Sequence, residues 1–271
     1  MRRESDSIGM MEVPEKAYYG VQTLRAKMNF CITGKRLHPL FIRNMAKIKK
    51  AAAKTNYMAG DLDAVRMGAI CKACDEIIQG QWADEFIVDP IQGGAGTSAN
   101  MNANEVIANR ANELLGGKLG VYDRVHPNDD VNRAQSTNDV IPTAGKLTVL
   151  DLIPGVLAEL SRLEEALEDK AVEFAHILKM GRTQMQDAVP MTLGQSFHAY
   201  ASVVNRDIRR IRRVSGELYS VNMGGTAIGS AINVSPMYLS HIVGNLAELS
   251  GYPLKQAEDL FDGTQNLDGF V

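Results

Sequence analysis

Apolar residues recur every three or four positions in the first third of the chain, the spacing of one face of an amphipathic helix. One such run extends from Pro39 to Gly60, and a second from Ala64 to Gln79. The apolar positions of the first run are Phe41, Met45, Ile48 and Ala52. Proline suits a first helical turn and glycine commonly follows a last one. The pattern therefore predicts two helices of ordinary length.

The second half of the chain carries two longer helical patterns. The first follows the segment Gln135-Ser136-Thr137-Asn138-Asp139 and places Pro142 in a first helical turn. A loop at residues 181–190 leads to the second, which Gly224-Gly225 is predicted to close. The apolar positions are Ile153, Val156, Leu160, Leu163 and Leu167, then Val204, Ile208, Ile211 and Leu218. Two such helices cannot cover their own apolar faces, so partner subunits or further residues must do so.

The remaining segments complete the predicted architecture. Residues 1–38 mix turns with short extended pieces and show no sustained helical period. Strands do not alternate with helices, which argues against a doubly wound α/β fold. We therefore predict a mainly α protein. It has an N-terminal α-rich domain at residues 1–138, followed by the first part of a long-helix bundle at residues 139–271.

Composition narrows the class of function. The 271 residues carry a net charge of −3, which argues against binding to a nucleic-acid backbone. Hydrophobic residues make up 45% of the chain, enough for a large buried core. No apolar stretch reaches the length of a membrane span, and the N-terminus lacks the apolar region of a secretory signal. We therefore predict a cytoplasmic small-molecule enzyme that needs no cofactor.

The spacing of the cysteines and arginines raises the possibility of a metal site or a nucleic-acid site, but the sequence supports neither. Cys71 and Cys74 form a single C-x-x-C without a second pair at zinc spacing, so we expect both in a helix core. A basic cluster shares a helix with an apolar face, which indicates a solvated or interface surface. Its members are Arg206, Arg209, Arg210, Arg212 and Arg213. The sequence thus predicts no metal site and no nucleic-acid site.

Three polar segments are candidates for binding an anion. The glycine-rich run at residues 92–98 permits close backbone approach, but it matches no nucleotide-binding motif, and a plain turn is the alternative. Residues 136–139 read Ser-Thr-Asn-Asp at a predicted helix start, where they can cap the helix, bind a carboxylate or do both. The third segment, at residues 181–184, is a weak signal when taken alone.

Together these segments resemble the aspartase/fumarase superfamily, and the resemblance runs from the first residues to the last. Residues 13–26 are similar to the family's opening segment, and the three polar segments to its three substrate loops. The matching motifs are Gly93-Gly94-Ala95-Gly96-Thr97-Ser98, His126-Pro127-Asn128-Asp129, Gln135-Ser136-Thr137-Asn138-Asp139 and Gly181-Arg182-Thr183-Gln184. Four matches in the right order are more specific than any one of them.

The resemblance implies a carbon–nitrogen lyase of the aspartase subgroup, because the first two loops look more like aspartases than fumarate hydratases. The implied reaction is reversible deamination of L-aspartate to fumarate through an enediolate-like intermediate. The implied substrate-binding residues are Thr97, Ser136, Thr137, Asn138, Thr183 and Gln184. The first three match donors to the reacting side-chain carboxylate, Asn138 the contact to the amino group, and Thr183 the contact to the other carboxylate. At Gln184, fumarases and some aspartases carry His.

The family's catalytic serine belongs to a Gly-Ser-Ser-x-x-Met-Pro-x-Lys-x-Asn loop, and this sequence contains no match to that loop. The resemblance therefore covers the N-terminal part of the family, no catalytic residue is assigned, and the chain alone is expected to be inactive. The family forms homotetramers whose active sites combine loops from three subunits, which implies the same partners here. The alternatives are a fumarate hydratase, or a non-catalytic fragment that retains the fold.

Overall fold

A computed structural model describes residues 1–271 and shows a mainly α protein, as predicted. The chain divides into two compact units. The first comprises residues 1–148 and 218–271, and the second comprises residues 149–217. The predicted domain boundary at residue 138 falls within the first unit and stays a prediction.

The first unit is built mainly from helices, with short strands at its edges. Its helices are α1 (Val21–Asn29), α2 (Pro39–Met58), α3 (Ala64–Ile78), α4 (Thr97–Leu114), the start of α5 (Thr137–Glu173), α7 (Pro236–Ser250) and α8 (Leu260–Gln265). Its strands are β1 (Arg2–Asp6), β2 (Gly9–Val13), β5 (Ser220–Val221) and β6 (Lys255–Gln256). β1 and β2 form an antiparallel hairpin, whereas β5 and β6 pair in parallel.

Helix α2 lies at the centre of this unit and packs against both α3 and α7. It begins at the predicted Pro39, and the His38 ring accepts the N–H of Leu40 as its cap. The predicted apolar positions Met45, Ile48 and Ala52 are all fully buried. The sequence pattern thus located the core correctly. Cys71 and Cys74 are buried in α3, which confirms their predicted place in a helix core.

The segment predicted to be irregular at residues 1–38 contains the β1–β2 hairpin and helix α1, so the prediction that it lacks a helix was wrong. Helix α1 has no side-chain cap from its own N-cap residue, Gly20. Its free N–H groups are bound instead by Glu4 and by Glu105 of α4. A helix capped by residues distant in sequence leaves little local signal.

Pro142 was predicted to lie in the first turn of its helix, but α5 begins at Thr137, so Pro142 is the sixth helical residue. Proline has no N–H, which leaves the carbonyl four residues earlier without its helical partner. That carbonyl belongs to Asn138, and the buried side-chain amide of Asn222 donates to it at 3.0 Å. Proline is therefore accommodated inside α5 by a contact from a distant segment.

Replacing Asn222 with Leu is expected to lower the free energy of unfolding by about 1–2 kcal/mol, because the Asn138 carbonyl loses its donor. The Asn222 amide also donates to the Thr264 hydroxyl at 2.9 Å. Thr264→Val removes that second bond, and with it the bond from the Thr264 hydroxyl to the Leu260 carbonyl, but it leaves the donor to the Asn138 carbonyl in place. It is therefore the matched control, with a smaller expected loss. Urea denaturation measures both variants. Equal losses in the two variants would contradict the role assigned to the Asn138 carbonyl.

The second unit contains the rest of α5, a hairpin and helix α6 (Leu193–Val214). The hairpin pairs β3 (Leu178–Thr183) with β4 (Gln186–Thr192), so the predicted loop at residues 181–190 was wrong. Its two turn residues, Gln184 and Met185, both have positive φ, as a type I′ turn requires. Asn-Gly is the usual sequence for such a turn, and Gln-Met carries no comparable signal.

Helix α6 starts with a capping box between Thr192 and Gln195 and ends at Val214. The predicted end at Gly224-Gly225 was therefore wrong, because a 3₁₀ turn at residues 215–219 and strand β5 intervene. Several apolar side chains of the second unit remain exposed: Leu152, Val156, Leu163, Val172, Tyr200 and Val203. By length and composition alone α5 could also cross a bilayer, which is weak evidence because core helices of soluble proteins share this property.

Candidate active site

The N-terminus of α5 carries the Ser-Thr-Asn-Asp segment, and its polar groups cap the helix as the spacing predicts. The Ser136 hydroxyl accepts the N–H of Asn138 at 3.2 Å. The Ser136 N–H donates to the Asp139 carboxylate at 2.9 Å. Free N–H groups at a helix N-terminus favour a bound anion. The segment therefore combines a capped helix end with hydroxyl groups that a ligand can reach.

Ser136 and Thr137 face a pocket of about 630 Å³ in the first unit. Its walls come from α4, from residues 132–137 and from a loop at residues 226–233 that we call the pocket loop. The remaining polar residues that line it are Asn100, Asn132, Gln135, Thr226, Ser230 and Asn233. Neutral amides and hydroxyls dominate this set, and no acidic side chain lines the pocket. Such a lining suits a negatively charged small molecule.

The pocket loop was not identified from the sequence. Thr226, Ala231 and Asn233 all have positive φ, a conformation that costs non-glycine residues roughly 1 kcal/mol or more each. The Asp139 carboxylate holds the loop by accepting the N–H groups of Gly224 at 3.2 Å and Thr226 at 3.1 Å. The only available sequence signal was a concentration of glycine, serine and asparagine between residues 224 and 233.

Thr97 and Asn138 lie in the same unit but do not line this pocket. Thr97 is the first residue of α4, and its hydroxyl donates to the Gly94 carbonyl at 2.5 Å. The Asn138 amide donates to the Ala227 carbonyl of the pocket loop at 2.8 Å. Asn138 also lines a second pocket, of about 500 Å³. Both side chains are therefore engaged by neighbouring backbone carbonyls in this structure.

The glycine-rich segment turns sharply into α4. Gly94, Ala95 and Gly96 all have positive φ. A Cβ at Gly96 would lie 2.9 Å from the Ile141 side chain of α5, so a larger residue would have to displace that side chain as well as adopt a positive φ. The segment is thus both the predicted turn and the entry into a helix N-terminus. No contact in the structure tests the anion-binding alternative.

Thr183 and Gln184 belong to the second unit. Thr183 ends strand β3, and Gln184 is the first of the two turn residues. Both side chains are exposed at the tip of the hairpin. Of the six residues implied to bind substrate, the structure places Ser136 and Thr137 together on one pocket. Their relation to Thr183 and Gln184 stays a prediction.

Beneath the pocket lies a buried charge that the sequence pattern did not single out. The ammonium group of Lys49 donates to the side-chain oxygens of Asn100 and Asn132, both at 2.8 Å. Burial lowers the pKa of Lys49 to about 7, and the nearby Asp139 carboxylate opposes that shift. Burial likewise raises the pKa of Asp139 to about 6, although three N–H donors and Lys49 oppose it. A lysine on the apolar stripe of α2, next to Ile48, was the available signal.

Comparison with known proteins identifies the protein family of this chain. A family described as lyase matches residues 9–271, so the chain belongs to that lyase family. Aspartate ammonia-lyase from a Bacillus species is 52% identical over the whole chain. The chain spans 58% of that relative's length.

Solved structures agree with this assignment. The fumarate lyase:delta crystallin from Brucella melitensis, in a crystal structure bound to cobalt, is 48% identical with a TM-score of 0.96. That match covers 99% of this chain and 59% of the other. A class II fumarase from Schistosoma mansoni is 35% identical with a TM-score of 0.91, over 99% of this chain and 60% of the other. The mainly α fold is therefore that of the predicted superfamily.

Proposed function

We propose that this chain serves an aspartate ammonia-lyase, which converts L-aspartate to fumarate and ammonia. The observation that carries the proposal is the pair of hydroxyls, Ser136 and Thr137, which line a pocket at the N-terminus of α5. The name of the 52% identical Bacillus relative supports the choice of substrate. Because the chain spans little more than half of that relative, the activity is proposed for the protein as a whole.

The chemical problem is a weakly acidic proton on the carbon next to the side-chain carboxylate. Removing it leaves an enediolate-like dianion, which then expels ammonia as the C–N bond breaks and the C–C double bond forms. A preoriented donor aimed at developing negative charge is worth roughly 3–4 kcal/mol. Ser136 and Thr137 supply neutral hydroxyl donors for this charge, and the N-terminal dipole of α5 adds to their effect. The family resemblance adds Thr97, whose hydroxyl must first leave the Gly94 carbonyl that it binds in this structure.

The remaining roles follow from the family resemblance. Asn138 contacts the substrate amino group, so its amide must leave the Ala227 carbonyl that it binds in this structure. Thr183 contacts the other carboxylate, and Gln184 is a further substrate-binding residue of the same hairpin. The proton acceptor is a serine in a loop that these 271 residues do not contain. We therefore assign no catalytic base within this chain.

Oligomerisation is part of the proposal. The exposed apolar side chains of α5 and α6, such as Leu163 and Val203, are suited to burial against other subunits. A homotetramer with shared active sites would bury them and bring hairpin residues of one subunit to the pocket of another. Such a protein acts on a soluble dicarboxylate in the cytoplasm and needs no cofactor.

Fumarate hydratase is the second candidate, and the 35% identical class II fumarase supports it. The two activities share the fumarate product and the carboxylate donors, and they differ in the leaving group. Turnover of L-malate in place of L-aspartate would select the hydratase.

We expect the chain to bind succinate but to form no fumarate from L-aspartate, because the pocket is present and the serine loop is not. Calorimetry measures the binding, and fumarate absorbance follows turnover with aspartate and malate in parallel cells. Fumarate from aspartate would show that another group replaces the serine base. A folded chain that binds no dicarboxylate would contradict the proposed function.

A further inference from the structure

Lys49 is the fully buried charge beneath the proposed dicarboxylate pocket. It projects from α2, and its ammonium group lies 2.8 Å from the side-chain oxygens of both Asn100 and Asn132. Both asparagines line the pocket. Keeping an ammonium group out of water is costly, so this position needs compensating contacts. The two amide oxygens and the nearby Asp139 carboxylate supply them.

The contacts of Lys49 determine how the two amides are turned. Lys49 donates a hydrogen bond to each asparagine, so each side-chain amide presents its oxygen to Lys49. The NH₂ group of each asparagine therefore points away from Lys49. The NH₂ group of Asn100 lies 3.2 Å from the Asn132 oxygen and 3.4 Å from the Thr137 hydroxyl oxygen. A flipped Asn100 would set its NH₂ group against the ammonium group.

The orientation of Asn100 in turn constrains Thr137. A hydroxyl carries one hydrogen and can also accept hydrogen bonds. The Thr137 oxygen accepts from Asn100, and the hydroxyl donates to no group of the chain. Its single hydrogen is thus available to a ligand in the pocket. An anion needs such a donor, whereas a hydroxyl that donated to an Asn100 oxygen would face the anion with lone pairs.

We propose that Lys49 is a positioning residue, which acts through Asn100 to hold the Thr137 hydroxyl as a donor toward a bound carboxylate. This inference rests on the proposed dicarboxylate function. Lys49 does not line the pocket and does not contact the substrate itself. Its effect on the substrate is transmitted by Asn100 and Thr137, which do line the pocket.

The test compares succinate binding by the full chain and three variants, measured by calorimetry. Lys49→Met removes the donors but keeps an apolar stem, and we expect binding at least tenfold weaker. Asn100→Leu leaves the net charge unchanged, and we expect a similar loss. Lys50→Met is the matched control, because it removes a neighbouring charge of α2 that pairs with Asp75. We expect that control to bind as the unmodified chain does.

Three outcomes would contradict the positioning role of Lys49 or the proposed function. Unchanged binding in Lys49→Met would overturn the inference alone. Weakened binding in Lys49→Met together with unchanged binding in Asn100→Leu would also overturn it, since Lys49 would then act only through its charge. Failure of the unmodified chain to bind succinate would contradict the proposed function as well.

A second measurement does not require any variant to fold. Nuclear Overhauser effects in the unmodified chain should connect the side-chain amide protons of Asn100 with the side chain of Thr137. For the binding comparison, thermal unfolding monitored by circular dichroism first verifies that each variant is folded. Absence of the Asn100–Thr137 effect would overturn the inference whatever the variants do.

Discussion

Replacing Asp139 with Ala should lower the free energy of unfolding by about 3 kcal/mol and weaken succinate binding at least tenfold. The fully buried carboxylate accepts the N–H groups of Ser136, Gly224 and Thr226. Each buried N–H left without an acceptor costs roughly 1–3 kcal/mol. Thr226 is the first residue of the pocket loop, and Gly224 lies just before it. Loss of Asp139 should therefore release that loop. Urea denaturation and calorimetry measure the two effects.

Asp169→Asn is the matched control, because Asp169 also belongs to α5 but is exposed. Its stability and succinate binding should equal those of the unmodified chain. If Asp139→Ala kept both properties, the carboxylate would not be what holds the pocket loop.

The same carboxylate should give stability a pH dependence. Burial raises the pKa of Asp139 from 3.8 to about 6. Between these values the native state binds a proton that the unfolded chain does not, so the unfolding free energy falls as pH rises through this window. Above about pH 6 this contribution of Asp139 is lost. The difference between the unmodified chain and Asp139→Ala is measured from pH 4 to 6, below the pKa of about 7 of the neighbouring Lys49.

Regular helices with one apolar face were predictable from the sequence. Helices α2 and α3 begin at the predicted Pro39 and Ala64, because the three- and four-residue spacing there reflects burial against a single core. The start of the long helix near Ser136 was also predicted, since its capping residues are adjacent in sequence. Each of these features leaves a signal within a few residues of the sequence.

Features that depend on distant contacts were not predictable in this way. Pro142 was placed in a first turn because nothing nearby indicates that Asn222 binds the carbonyl it frees. The β3–β4 hairpin turns at Gln184 and Met185, which lack the usual turn chemistry. The sequence motifs identified Ser136 and Thr137, but not the pocket loop opposite them. That loop depends on Asp139, whose partners Gly224 and Thr226 lie more than 80 residues away.

Glu105→Leu should lower the free energy of unfolding by roughly 3 kcal/mol or more, because it leaves buried N–H groups of the α1 N-terminus without an acceptor. The carboxylate of Glu105 accepts the N–H groups of Gly20 at 2.8 Å, Gln22 at 3.0 Å and Thr23 at 3.1 Å. A negative charge also suits the positive end of the helix dipole. Glu105 thus caps a helix more than 80 residues away, which explains why α1 escaped sequence-based prediction.

Two further variants separate this capping role from a general effect of charge. Glu105→Gln keeps one acceptor oxygen and should lose about half as much stability as Glu105→Leu. Glu12→Gln removes a carboxylate that is 61% exposed and whose ion pair with Arg3 is long, at 4.0 Å. This variant should change the free energy of unfolding by less than about 0.5 kcal/mol. Urea denaturation of the three variants gives the comparison. If Glu105→Leu were as stable as Glu12→Gln, water would be satisfying the α1 N–H groups, and β1, β2 and α1 would owe their position to the apolar contacts of Val13 and Val21 instead.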